Sequence, residues 1–142
     1  MKQFRANDVL NRLLVLLVRS FPAYLTYAKP HVGPGDEHSL EVVQQIVADQ
    51  EALAARINEA ICENGACPYL GEFPLEFTDL HDLDLDYLVK VAIGYQKQDV
   101  AAIADCVEDL RLAPAFLPLA QEALGMAKGH LESLLELAHQ PA

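Results

Sequence analysis

Apolar residues recur at helical spacing in four long stretches of this chain, and the gaps between the stretches run short, long, short. The stretches predict helices at residues 7–28, 37–63, 85–110 and 115–138, each roughly 22–28 residues long. Short gaps make antiparallel neighbours. The long gap, residues 64–84, can carry the chain the length of a bundle before the third helix starts. The order predicts an all-α four-helix bundle running up-down-down-up, one domain over residues 1–142.

The first helix opens at Asn7 or Asp8, either a plausible N-cap, and presents a wide apolar face that includes Leu10, Leu13, Leu14, Leu17, Phe21 and Leu25. Pro22 predicts a kink within it. Val15 and Val18 fall outside the main stripe, so this helix is apolar on more than one side. The second carries Val43, Ile46, Val47, Leu53, Ile57 and Ile61 on one face and closes at Asn64-Gly65. In the third, Leu88, Ala92, Tyr95, Ile103 and Cys106 form the stripe. The fourth starts near Pro114, a residue suited to a first turn, with Ala120, Ala123, Ala127 and Leu134 inward. Gly125 and Gly129, four apart, predict a groove where another helix comes close.

The crossover holds Tyr69, Leu70, Phe73, Leu75, Phe77 and Leu80, which predicts that it packs along the bundle, with Pro68 and Pro74 keeping it extended. It also carries Glu72, Glu76, Asp79, Asp82 and Asp84 and no Lys or Arg. The acidic run at residues 82–86 (DLDLD) meets a helix start, where carboxylates cap exposed amides. As a calcium loop it lacks the glycine and the closing glutamate in register.

Composition narrows the function classes. The net charge is −11, from 21 acidic and 10 basic residues, and such a surface repels phosphate backbones, which argues against nucleic acid. Residues 13–18 (LLVLLV) are strongly apolar but far short of the roughly 20 residues a membrane span needs. Arg12 and Arg19 bracket them, so a buried core helix is expected rather than a span or a signal sequence. Cys62, Cys67 and Cys106 lack the density of a secreted scaffold; Cys62 and Cys67 are expected as independent thiols, in a cytoplasmic protein.

A carboxylate-bridged di-iron centre needs a Glu from each of two helices and a Glu-x-x-His from each of the other two. Between Val9 and Gly35 there is no acidic residue, so the first helix has no ligand to give. Ala52 and Ala54 stand three residues after Asp49 and Glu51, and Ala127 stands three before His130. Even so, the helix pattern resembles the ferritin-like superfamily over nearly the whole chain. Residues 46–57 (IVADQEALAARI) and 127–137 (AKGHLESLLEL) look like its second-helix and fourth-helix segments. The resemblance implies a crossover bundle, often assembled as a dimer, and of the family's ligands it carries over only His130.

A polar layer is expected at mid-height. Gln50 interrupts the second stripe, Asp99 the third, and His130 borders the fourth, with Tyr24 or Tyr27 reaching the same depth from the first helix. Groups buried there should bond one another, and an Asp99–His130 pair is one arrangement open to them. His81, with Glu76, is a candidate surface metal site; no phosphate loop or nucleophile elbow is present. These features predict a non-catalytic bundle without cofactor that acts through protein–protein association, as a homodimer. An atypical di-iron or other metal protein, or a bundle that binds a lipid or small molecule, are the alternatives.

Overall fold

The computed structural model describes residues 2–80 and 83–139, with side chains from Ala6 onward. The chain is all-helical: α1 (Lys2–Val18), α2 (Phe21–Ala28), α3 (Glu37–Glu63), a short 3-10 helix (Leu75–Leu80), α4 (Leu85–Asp109) and α5 (Leu117–His139). The expected first helix is thus two helices, bent by 44° at Arg19-Ser20. Ser20 is extended (φ −68°, ψ 162°), and its Oγ accepts the amide of Ala23 at 3.2 Å. Pro22 therefore sits in the first turn of a new helix, where its missing N–H costs nothing, and starts α2 rather than kinking α1. Lys29, left-handed at φ 52°, closes α2.

Residue pairs give the helix directions. Asn7 meets Asn64 and Ser20 meets Gln50, so α1 and α3 are antiparallel. Arg12 meets Asp109 and Phe21 meets Tyr95, so α1 and α2 run against α4. Arg56 with Glu122 and Asp49 with His130 set α5 against α3, and Gln96 with Ala127 sets it against α4. Consequently α3 and α4 point the same way, and the crossover runs back over the outside of the α1–α2 break. No single helix is long and apolar enough to cross a membrane.

The interior has two apolar halves. One is aliphatic, built by α1, the C-terminal parts of α3 and α4, and the start of α5; Leu10, Leu13, Leu14, Ile57 and Leu110 are its centre. The other is rich in rings, built by α2, the opposite ends of α3, α4 and α5, and Phe77 of the 3-10 helix. Burying each large side chain contributes about 1.5–3 kcal/mol. Between the halves lie Ser20, Gln50, Gln96 and His130, all buried.

Several expectations change. Of the crossover's apolar residues, Phe77 is buried and Phe73 and Leu80 are partly covered, while Tyr69, Leu70 and Leu75 face solvent. Residues 75–80 wind into a 3-10 helix instead of staying extended, which puts Phe77 and Leu80 on its inner side and Leu75 on its outer side. The fourth helix starts at Leu117, with Pro118 rather than Pro114 in its first turn. Gly125 and Gly129 are exposed and a Cβ on either would meet open space, so no helix approaches there. Asp84 is the N-cap residue of α4 but its side chain makes no cap bond, and Asp82 and His81 lie outside the described residues. Val15 packs beneath Gly71, and Val18 is partly buried against the aliphatic half, so the first helix's extra apolar positions are largely used within the chain.

Candidate ligand-binding site

The helix break and the crossover build one site between them. Asn11 fastens the crossover through both ends of its amide: Nδ2 donates to the Tyr69 carbonyl at 2.9 Å and Oδ1 accepts the Tyr69 amide at 2.7 Å. Arg19 Nε donates to the carbonyls of Leu70 and Gly71 at 3.3 and 3.1 Å, and its guanidinium lies over the Phe73 ring at 4.9 Å. Gly71 holds φ +66° over Val15, a conformation that favours glycine. Beyond these ties Phe77 meets Phe21 and Tyr95, each at 4.9 Å and edge-on, while Phe21 and Tyr95 lie 5.0 Å apart. Such ring pairs add about 0.5–1.5 kcal/mol each to their burial.

These contacts border a half-open cavity of about 190 Å³ whose lining includes Arg19, Ser20, Phe21, Phe77, Tyr95 and Asp99, with Glu72 and Glu76 also on its wall. It is larger than the roughly 150 Å³ hole that accepts benzene in an engineered core. Asp99 comes from α4 and makes no hydrogen bond or ion pair with a described residue. Removal from water pushes its carboxyl up to about 7. Burial also raises the Tyr95 phenol, and Glu76 adds to this by its charge and by accepting the phenol's hydrogen bond. The carboxylates outnumber the single guanidinium, whose Nε already serves the crossover backbone.

The five residues expected in one mid-bundle layer are distributed differently. Gln50 is buried, and its Oε1 accepts the Ser20 hydroxyl at 2.8 Å. His130 is buried and pairs through Nε2 with Asp49 at 2.9 Å, not with Asp99; the hydrogen bond from His130 holds the Asp49 carboxyl below its ordinary range. Asp99 faces the cavity instead. Tyr24 belongs to the ring cluster, 5.3 Å from Phe73 and 5.5 Å from Phe77. Tyr27 is 75% exposed and lies outside the layer. The layer's missing member is Gln96, whose Nε2 donates to the Ala127 carbonyl at 3.0 Å. Gln96 Oε1 and His130 Nδ1 are buried without a partner among the described residues. Gln96 lies four residues after the buried Ala92, a spacing that could have found it. Nothing in the sequence marked Ser20 or Asp49 as partners.

Among the described residues no group of three or more His, Cys, Asp or Glu side chains is placed to hold a metal ion. Cys62 and Cys67 are exposed free thiols and Cys106 is buried. No protein-family model, no curated protein and no solved structure matches the chain.

Proposed function

We propose that the protein is a non-catalytic bundle of ferritin-like topology that binds a small organic cation in the cavity at the α1–α2 break. The helix directions support the topology. The ligand class rests on Asp99, a mostly buried carboxylate lining the cavity with rings beside it and no partner among the described residues. An ammonium group has donors and no acceptor, so it suits a carboxylate, and the partly exposed ring of Tyr95 lines the same cavity, where it can attract the cation's charge. Arg19 opposes it, but Glu72 and Glu76 on the same wall outweigh that charge. The free thiols of Cys62 and Cys67 support a reducing, cytoplasmic setting for this role.

The binding chemistry carries a proton signature. Asp99, with its carboxyl at about 7, is mostly protonated at pH 6, so a bound cation must displace that proton. Calorimetry with benzylammonium, a probe of suitable size, is expected to show up to one proton released per ligand at pH 6 and almost none at pH 8.5. Affinity is expected to rise nearly tenfold per pH unit below 7 and level off above it. Asp99→Asn should weaken binding at least tenfold at pH 8 and flatten the profile. Benzyl alcohol binding as well as benzylammonium, or an unchanged profile in Asp99→Asn, would refute the reading.

A further inference from the structure

The crossover has a second face, turned away from the cavity. Of the seven large apolar side chains exposed among the described residues, Tyr69, Leu70, Leu75 and Leu83 belong to the crossover, Tyr87 follows in the first turn of α4, and Tyr27 lies against Phe73, with Leu112 the exception. Leu75 is 85% exposed and Tyr69 72%. Tyr27 joins the crossover through its ring contact with Phe73 at 5.9 Å. Between Arg56 and Lys90 there is no Lys or Arg, whereas Glu72, Glu76, Asp79, Asp84 and Asp86 are all exposed along this stretch. An apolar surface rimmed by charge of one sign marks an interaction site more often than it marks chance.

We propose that this face docks a basic amphipathic helix of another protein, with apolar residues on one side and Lys or Arg along its flanks. Charge chooses the occupant. A second copy docked about a two-fold axis would set one acidic crossover against another, on a chain of net charge −11. A neutral apolar partner would strip water from the carboxylates and give them nothing in return. A basic helix meets both demands, its apolar side on Leu75, Tyr69 and Leu70 and its cations on the acidic rim. One end of the face, residues 69–71, is held in place before binding by Asn11 and Arg19, which bond its backbone. This inference rests on the exposed apolar side chains and not on Asp99, with Glu72 and Glu76 bordering both the face and the cavity.

Fluorescence anisotropy with the full chain and a labelled 18-residue peptide of Leu and Lys in amphipathic helical order tests it. That peptide is expected to bind at least about tenfold more tightly than one of identical composition whose scrambled order has no apolar face, and to weaken with salt. The pair Tyr69→Ser and Leu75→Ser, whose exposed side chains leave the fold intact by circular dichroism, should weaken binding about tenfold. Leu112→Ser, equally exposed but elsewhere, should leave it unchanged, as should Asp99→Asn. Equal binding of the scrambled peptide, no effect of the Tyr69 and Leu75 changes, or an equal loss in Leu112→Ser would overturn the proposal. So would a loss in Asp99→Asn, which would move the peptide to the cavity. A concentration-dependent dimer abolished by Leu75→Ser would overturn it in favour of a second copy.

Discussion

The two halves of the interior are stabilised in different ways. The aliphatic half is closed by continuous helices, and Leu10, Leu13 and Ile57 there are shielded completely. The half around Phe21 is closed on one side by the crossover, through Phe77 and a set of ring contacts, and beside those rings it keeps the cavity. Close packing leaves no room for a ligand in the aliphatic half, and in this bundle the gap opens where an element other than a long helix completes the wall. The break at Ser20 creates that opportunity, since it divides the first helical segment where the crossover passes over it.

The largest expected effect separates the halves directly. Leu14→Ala should cost about 3–4 kcal/mol in urea melts, lowering the stability of all helices together. Phe77→Ala should cost about 3 kcal/mol and, at matched stability, make the crossover the first site of protease cleavage. Identical cleavage patterns in the two variants would mean that the halves unfold as one.

Smaller, and of opposite sign, is the effect of Asp99. Its folded-state carboxyl, at about 7, lies above the unfolded value of roughly 3.9, so its cost is absent below pH 4, grows between pH 4 and 7, and is constant above. The rise from roughly 3.9 to about 7 sets a ceiling of about 4 kcal/mol, which the partial exposure of Asp99 lowers, so Asp99→Asn should stabilise the free protein by roughly 2–3 kcal/mol at pH 8 and leave it unchanged at pH 3. A variant no more stable than the parent at pH 8 would show that the carboxyl is hydrated like a surface acid.

The boundary between the halves gives the smallest change. Ser20→Ala removes both the cap of α2 and the donor to Gln50, and should cost about 1–2 kcal/mol. Adding Gln50→Leu, which removes the stranded acceptor, should recover part of that loss. A double-mutant cycle with no coupling between the two would break the link between helix break and polar layer.

Much of the helical frame was legible in the sequence, because strictly periodic apolar residues have one way to be buried. The bounds of α3 follow from its stripe and its Asn64-Gly65 ending. The break at Ser20 was hidden. Leu17, Phe21 and Leu25 keep helical spacing through it, and a Pro two residues after a Ser fits a kink as well as a new N-terminus. The site was less legible still. Asp99 and His130 lie on neighbouring helices, yet a difference of one position around each axis sends Asp99 to the cavity and His130 to Asp49. Wheel position is set by packing against three or four neighbours at once, and a linear pattern leaves it open by one residue.

The grip of Asn11 on residue 69 reaches only the peptide unit, and Arg19 treats residues 70 and 71 the same way. The path of this segment is thus insensitive to which side chains hang from Tyr69 and Leu70. Substitution at those two positions can retune what the molecule displays while its scaffold stays put, a freedom that suits them to diversification in the laboratory or by natural selection.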